Sequence, residues 1–275
     1  HKSNLADRNP TLECRRRIRR DLRGMQESPL PMIFPLRDEN YTTVVHALVA
    51  GPFDTPYEGG FYWFVINCPD DYPNQPPKVK LMTTGGGAVR FNPNLYRNGK
   101  VCLSILGTWS GPGWSPVQSI ASVLISIQSL MNSKPYHNEP GCERGSARDV
   151  ENYNDCIRYE SLRVAVCEMA GDSSMASSLP PQLRGLCREL FPSFYEQYAI
   201  ACANGIERGH DGKRMEDPFG ENRGVMQYKK LAERLKQLRD KIAAGEGEDR
   251  DEDEDEEDEE APKEGGAAAA EEADR

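Results

Sequence analysis

The hydrophobic pattern divides the chain into an N-terminal helix, a run of extended segments, several helices and a polar tail. One helix face is predicted near the start, because apolar residues recur every three or four positions at Cys14, Ile18, Leu22 and Met25. Three stretches rich in β-branched and aromatic residues follow at 41–50, 61–68 and 79–84, separated by Gly- and Pro-rich turns. The short gaps between them predict an antiparallel meander.

Helical spacing returns in the second half of the chain. Residues 115–118 read Ser-Pro-Val-Gln, a capping-box sequence with proline at the first helical position, so we predict that a core helix begins there. Its buried stripe comprises Ile120, Val123, Leu124, Ile127, Leu130 and Met131. Further helices are predicted over 153–169, 183–203 and 228–242. The last one barely reaches three heptads, which favours packing on its own domain over a coiled coil.

Charge is distributed unevenly. Residues 245–275 hold 17 acidic and 3 basic side chains, a net charge of −14, and show no apolar periodicity. Low hydrophobicity and dense like charge predict a disordered acidic tail. The remaining 244 residues carry 31 basic and 27 acidic groups, so the folded body is mildly basic at +4. The longest apolar stretch, 120–131, is interrupted by polar residues and is shorter than the roughly 20 residues of a membrane span.

Eight cysteines are scattered without a C-x-x-C pair. A metal site or a disulfide framework needs tighter spacing, so we predict no metal and a reducing, intracellular compartment, cytoplasmic with the nucleus as a second location. Seven cysteines are expected to be buried and inert. The chain opens on His1 rather than methionine, so the sequence leaves open whether another segment or a removed targeting peptide precedes it.

Cys102 is the exception because of its neighbours. Residues 91–106 read Phe-Asn-Pro-Asn-Leu-Tyr-Arg-Asn-Gly-Lys-Val-Cys-Leu-Ser-Ile-Leu, with Asn94 eight positions before the cysteine. This stretch resembles the active-site signature of ubiquitin-conjugating enzymes: His-Pro-Asn, the cysteine eight residues after the asparagine, then Leu-x-Ile-Leu. Asn92 replaces the histidine, which in the family mainly braces the loop. Two further family phrases are Thr-Pro-Tyr-Glu-Gly-Gly-Phe at 55–61 and Tyr-Pro-x-x-Pro-Pro-Lys-Val at 72–79.

The resemblance runs from about residue 10 to about residue 242 and is to large family members with extensions on both sides of the core. It implies an α+β ubiquitin-conjugating fold: an antiparallel meander sheet with flanking helices, plus a C-terminal helical extension. We divide the chain into an N-terminal extension at 1–9, a catalytic core at 10–145, a helical extension at 146–244 and the acidic tail at 245–275.

The resemblance implies a transferase. Cys102 accepts ubiquitin, or a ubiquitin-like modifier, as a thioester from an activating enzyme and passes it to a lysine of a protein substrate, usually with a ligase. No cofactor is expected, since the upstream enzyme uses the ATP, and neither nucleic acid nor membrane is an expected partner. The Asn94 amide is the implied oxyanion donor; its alternative role is to hold the loop through backbone hydrogen bonds. The rival class is a catalytically silent ubiquitin-binding or scaffold protein of the same fold, against which retention of Cys102 and Asn94 argues.

Activation of the attacking lysine has weaker candidates. Many relatives place an aspartate in a short segment after the core helix, where this chain reads Lys-Pro-Tyr-His-Asn-Glu-Pro-Gly at 134–141. Asn138 and Glu139 lie nearest that position. His137 is either a loop-packing residue or a general base, and its context lacks the protease signature that a cysteine hydrolase would need.

Docking residues are implied on the first helix and on two loops. Arginines occupy the helix faces left free by the apolar stripe, and they form either a solvated surface or a docking surface: Arg15, Arg16, Arg17, Arg19, Arg20 and Arg23. The resemblance favours contact with the activating enzyme through Arg15, Arg16, Arg19 and Arg20. A ligase loop is retained at Ser115, Pro116 and Val117. Asn74 replaces a phenylalanine of many ligase-binding relatives, which favours a RING-type over a HECT-type ligase. Extra residues at 107–113 form either a mobile lid or a passive loop.

Overall fold

The computed structural model describes residues 9–245. Four strands and six α-helices make up the chain in this range. The strands are β1 Ile33–Arg37, β2 Val44–Ala50, β3 Phe61–Asn67 and β4 Lys78–Leu81. The helices are α1 Leu12–Glu27, α2 Ile120–Leu130, α3 Ala147–Glu160, α4 Ser174–Ser178, α5 Pro181–Glu207 and α6 Tyr228–Ala243. No helix within 9–245 is both long and apolar enough to cross a bilayer.

The sheet has the order β1-β2-β3-β4, and every neighbouring pair is antiparallel. The predicted meander is therefore confirmed, with strands one to three residues shorter than the apolar stretches. The sequence pattern missed β1, which reads Ile-Phe-Pro-Leu-Arg. Pro35 lacks an N–H for the ladder, and an edge strand can accommodate it because one of its sides makes no ladder bonds.

Apolar residues pack on both faces of the sheet. The inner face packs against α1 and α2 through side chains such as Val45, Phe64, Ile66, Val123 and Ile127. The outer face contributes Leu48 and Trp63 to a second core, which it shares with α3, α5 and α6 through Cys156, Phe191, Tyr198 and Leu235. The helical extension thus buries part of a sheet face that alternation along β2 and β3 would otherwise expose.

The core helix begins later than the capping-box sequence predicts. Its N-cap is Ser119, whose side chain accepts from the N–H of Ser122, and α2 starts at Ile120. The Ser115–Gln118 bonds do form, with the Gln118 N–H donating to the Ser115 carbonyl at 2.9 Å and the Ser115 N–H donating to Gln118 Oε1 at 3.0 Å. They close a turn rather than open a helix, so the prediction of the start was wrong by four residues.

The later helices agree with the periodicity. After α3 the backbone continues as a π-helical turn, Ser161–Val166, and α6 packs along α5, as predicted for a helix that stays on its own domain. The contact is close at Gly205, where a Cβ atom would lie 2.5 Å from the Tyr228 ring. Residues 1–8 of the predicted N-terminal extension and the predicted acidic tail after residue 245 lie outside the described residues.

Candidate active site

Cys102 and Asn94 hold each other through two reciprocal hydrogen bonds. The Cys102 N–H donates to the Asn94 carbonyl at 2.9 Å, and the Asn94 side-chain amide donates back to the Cys102 carbonyl at 3.0 Å. Isolated bridges align the flanking segments, pairing Leu95 with Val101. The amide is therefore engaged in bracing the loop in this state, which is the second of the two roles considered for Asn94.

Asn92 performs the bracing expected of the histidine that it replaces. Its amide donates to the Tyr57 hydroxyl at 2.9 Å and to the Leu130 carbonyl at 2.8 Å. Its side-chain oxygen accepts the Asn94 N–H at 3.0 Å and the Asn138 amide at 3.2 Å. The side chain is fully buried and satisfied, so the substitution keeps the loop fixed.

Arg90 lies beside the same loop. Its guanidinium donates to the Pro93 carbonyl at 2.7 Å and to the Asn92 carbonyl at 3.3 Å. It also pairs with Glu139 at 3.1 Å and faces Glu221 of the helical extension at 3.7 Å. Sequence reasoning missed Arg90 and Glu221, because no motif joins residues from such distant parts of the chain.

Thr108 anchors the cysteine from the other side. Its hydroxyl donates to the Val101 carbonyl at 2.8 Å and accepts the Leu103 N–H at 3.0 Å. These are the peptide groups on either side of Cys102. The first residues of segment 107–113 are thus tied to the cysteine loop. Thr108 was also missed by the sequence reasoning, since a lone threonine in a Gly-rich loop has no distinguishing spacing.

The thiol of Cys102 is covered and electrostatically balanced. The residue is only 2% exposed, which differs from the accessible nucleophile expected from the sequence. Burial raises the pKa of the Cys102 thiol above its ordinary value, while Lys100 and Arg90 lower it and Glu139 raises it. Because the net shift is upward, the thiolate fraction at neutral pH is smaller than for a free cysteine.

The three candidates after α2 have different surroundings. His137 donates from Nδ1 to the Cys142 carbonyl at 2.7 Å, which ties its ring to its own loop. Asn138 donates to the Leu130 carbonyl at 2.9 Å as well as to the loop asparagine, so it acts as a brace. Glu139 is the one of the three whose charge acts on Cys102. Within residues 9–245, no hydrogen bond joins a histidine to the Cys102 sulfur.

The arginines of α1 are of two kinds. Arg15, Arg16, Arg19, Arg20 and Arg23 are exposed, as expected for a basic outer surface. Arg17 is buried, and placing it on that surface was wrong. Its guanidinium pairs with Asp21 at 2.8 Å and donates to the Pro116 carbonyl at 2.7 Å and to the Gln118 carbonyl. These partners explain its burial and tie α1 to the segment before α2.

The candidate ligase loop is open to solvent. Ser115, Pro116 and Val117 are all exposed, and Val117 is 89% exposed, which is unusual for a large apolar side chain. Asn74 is also exposed. The indole N–H of Trp114 donates to the Pro73 carbonyl at 2.7 Å, so the two loops lie side by side.

The eight cysteines all lie in the described range, where no disulfide bond joins any two of them. Seven of them are buried, and Cys142 is half-buried. Between residues 9 and 245, no group of three or more His, Cys, Asp or Glu side chains is close enough to hold a metal ion.

Comparison with known proteins agrees with this geometry. A family model described as "Ubiquitin-conjugating enzyme" matches residues 17–159. Ubiquitin-conjugating enzyme E2 Z of Homo sapiens is 54% identical over 231 residues, which are 84% of this chain and 64% of the human protein. The E2 Z of Xenopus tropicalis is 52% identical over 232 residues, 84% of this chain and 72% of that one. A human protein described as "Dual E2 ubiquitin-conjugating enzyme/E3 ubiquitin-protein ligase BIRC6" is 40% identical over 184 residues, 62% of this chain and 4% of that protein.

The matched region contains the whole Cys102 loop, the sheet and α2. The likeness to E2 Z continues through most of the helical extension, since it covers 84% of the chain. The resemblance inferred from residues 91–106 and the predicted α+β fold are both confirmed. The chain spans a little under two thirds of human E2 Z, 64% of its length. The chain belongs to the ubiquitin-conjugating enzyme family.

Proposed function

We propose that this chain is a ubiquitin-conjugating transferase with Cys102 as its thioester-forming nucleophile. The Cys102 thiolate attacks the thioester carbonyl that joins the C-terminus of ubiquitin to a cysteine of the activating enzyme. A new carbon–sulfur bond forms at Cys102, the old one breaks, and the departing thiolate takes up the proton that Cys102 released. An uncharged lysine amine then attacks the new thioester, forms an amide and returns the Cys102 thiol.

One observation carries this proposal: the family's nucleophile and its asparagine are in direct reciprocal contact on the loop that the family model covers. A strong local base is dispensable in the first step because it exchanges one thioester for another. This suits a cysteine whose pKa is raised by burial and which has no hydrogen-bonded histidine in the described chain. Because Cys102 has little exposed area, the residues that cover it must move when the activating enzyme with its ubiquitin thioester binds.

The roles of the neighbouring side chains follow from their contacts. Asn94 has a second amide hydrogen, besides the one given to the Cys102 carbonyl, that it can offer to the oxyanion formed during aminolysis. Glu139 is the carboxylate best placed to accept a proton from the incoming lysine, because it is half-buried and its charge acts on Cys102. We assign a bracing role to Asn138 and a loop-packing role to His137.

The partners are assigned from exposed surfaces. The exposed arginines of α1 (Arg15, Arg16, Arg19 and Arg20) form the surface for the activating enzyme. Ser115, Pro116 and Val117 form the ligase loop, and we favour a RING-type ligase because Asn74 offers no apolar anchor beside it. The protein transferred is ubiquitin, with a ubiquitin-like modifier as an alternative cargo. Any ATP is consumed by the activating enzyme.

The test is a charging assay with activating enzyme, ATP and ubiquitin. The wild-type chain should form an adduct that a thiol reductant removes. Cys102→Ala should abolish the adduct, and Cys102→Ser should give an adduct that resists reductant, because an oxyester exchanges poorly with thiols. Cys142→Ser, a change at the most exposed of the other cysteines, should charge normally. An adduct that persists in Cys102→Ala, or no adduct with any activating enzyme or modifier, would overturn the proposal.

A further inference from the structure

The segment between α5 and α6 forms a closed loop, here called the extension loop and comprising residues 213–226. The Met226 N–H donates to the Lys213 carbonyl and the Met215 N–H donates to the Gly224 carbonyl, both at 2.9 Å. Both methionines are buried in the outer-face core, so the base of the loop is anchored in the helical extension. Its tip is directed elsewhere.

The tip reaches the catalytic core. Phe219 stacks on Tyr136, with ring centroids 5.1 Å apart and planes inclined by 26°. It also meets Tyr153 edge to face at 5.1 Å. Tyr136 lies in the 3-10 turn Pro135–Asn138, immediately before Glu139. Phe219 therefore packs in the core on the inner face of the sheet. The base of its loop is buried in the core on the outer face.

Two charged residues of the tip hold Arg90. Arg223 donates to the Arg90 carbonyl at 2.8 Å, and its own position is fixed by a buried ion pair with Asp217. Glu221 faces Nη1 of the Arg90 guanidinium at 3.7 Å, whereas the loop carbonyls bind Nε and Nη2. The extension loop therefore contacts both the backbone and the side chain of Arg90.

Arg90 in turn contacts the loop that positions Cys102. Its side chain donates to the carbonyls of Asn92 and Pro93, the two residues before Asn94. Asn94 in turn holds both backbone polar groups of Cys102. The contacts form an unbroken path from the helical extension to the peptide of the cysteine.

We propose that Arg90 is a positioning residue for the transfer reaction, and that the extension loop holds it in place through Glu221 and Arg223. The helical extension is then a working part of the active site. The inference rests on the proposed function, because positioning matters only if Cys102 carries a thioester. Small displacements of a reacting group are costly: about 1 Å can reduce a rate by ~10²-fold.

A purely structural role for these contacts predicts something different. Glu221 is partly exposed and its distance from Arg90 is long for an ion pair, so its contribution to stability is small. If the loop only stabilises the fold, neutralising Glu221 should change neither the melting temperature nor the rate. If the loop positions Arg90, the rate should fall while the melting temperature stays the same.

The experiment compares Glu221→Gln with Glu216→Gln. Glu216 is on the same loop and pairs with the exposed Arg148, which makes it a matched control. The measurement is single-turnover discharge of charged protein to free lysine, together with the melting temperature. We expect Glu221→Gln to slow discharge by about 3- to 10-fold without a change in melting temperature, and Glu216→Gln to behave as wild type. Equal rates in the two variants would overturn the inference.

Arg90 itself is tested by Arg90→Lys and Arg90→Met, with the pH profile of Cys102 alkylation by iodoacetamide as a second readout. Arg90→Lys keeps the charge but cannot span two carbonyls, so its alkylation profile should stay near wild type while discharge falls by about 10-fold. Arg90→Met should also move the profile to higher pH. Identical effects of the two variants on profile and discharge would contradict a positioning role. If the wild-type chain does not charge at all, the proposed function fails, whereas the alkylation profiles still report on the Arg90 contacts.

Discussion

Two regions of the molecule bury cysteines, and they do so differently. In the helical core of α3, α5 and α6, burial among apolar side chains raises the pKa of Cys156, Cys167 and Cys202 to about 12. On the catalytic loop, burial also raises the pKa of Cys102, but Lys100 and Arg90 oppose the shift. Both environments are nearly closed to solvent. What distinguishes them is that polar side chains hold the peptide groups around Cys102.

The comparison indicates that burial among apolar side chains lowers the thiolate fraction of a cysteine when no nearby positive charge opposes the shift. The helical core is filled by packing, and its cysteines behave as small apolar side chains. The catalytic loop is held by hydrogen bonds from Asn92, Asn94, Arg90 and Thr108, so the cysteine keeps a fixed position near positive charge. Breaking these polar contacts should change reactivity, whereas breaking the apolar ones should change stability.

The largest expected effect is in thiol selectivity. In a Cys142→Ser protein, which lacks the half-buried thiol, native alkylation at pH 8 should modify Cys102 at least ~10²-fold faster than Cys156, Cys167 or Cys202, because each pH unit below the pKa of a thiol lowers its thiolate fraction about tenfold. The Cys102 rate should rise with pH, since its raised pKa leaves it mostly protonated at neutral pH. Peptide mass spectrometry measures each site. Earlier labelling of a helical-core cysteine would contradict the comparison.

Next in size is the loss of a buried polar link. Arg17→Met should destabilise the protein by about 3–5 kcal/mol, because Asp21 would be left as a buried charge without its partner. Thermal or denaturant unfolding measures this change. Arg16→Met, one position away on the exposed face of α1, is the matched control and should be within about 0.5 kcal/mol of wild type. Similar losses in both variants would mean that Arg17 is not a structural tether.

A smaller effect is expected at the asparagine of the loop. In the proposed mechanism the Asn94 amide stabilises the oxyanion, so Asn94→Ala should slow discharge to lysine by ~10²-fold. Charging should be affected less if the oxyanion role dominates. An equal loss in both steps would identify Asn94 as a brace, the role that its bond to the Cys102 carbonyl displays in this state. Comparing the two single-turnover rates separates these outcomes.

Local signals in the sequence were sufficient for most of the helices and strands and for the Asn94–Cys102 pair, although they missed β1. The eight-residue spacing of Asn94 and Cys102 lies within one loop, so the chain between them limits how far apart they can be. The meander followed from β-branched stretches with short gaps. The start of α2 was misplaced because the bonds of a capping box also close a turn at residues 115–118.

Contacts between distant segments were not predictable. Glu221 becomes a neighbour of the site only after the extension has packed on the core, and no periodicity records that packing. Arg90 and Thr108 are close to the site along the chain, but no spacing or motif marks either residue. Arg17 was placed on the surface because apolar spacing counts only apolar residues. Its burial depends on Asp21, four positions later, whose carboxylate also accepts the Tyr72 hydroxyl at 2.6 Å.

The exposed face of α1 should give only a modest and salt-dependent effect. Arg16→Glu combined with Arg20→Glu should lower the charging rate by a few-fold at low salt if, as proposed, these exposed arginines steer an acidic surface of the activating enzyme. The difference should shrink between roughly 50 and 300 mM salt, as the screening length falls through ~8 Å. The melting temperature should stay unchanged. A rate loss that does not depend on salt would point to a direct contact instead of steering.

Deleting the acidic segment should change the charging rate in the opposite direction, and this is the smallest effect expected. Residues 245–275 carry a net charge of −14, which can compete with the activating enzyme for the exposed arginines of α1. Deleting them should therefore raise the charging rate at low salt and leave the melting temperature unchanged, because the apolar cores are built from residues before 245. The steering mechanism also requires that the gain disappear in the Arg16→Glu, Arg20→Glu background. A gain of the same size in that background would mean that the segment acts on another surface.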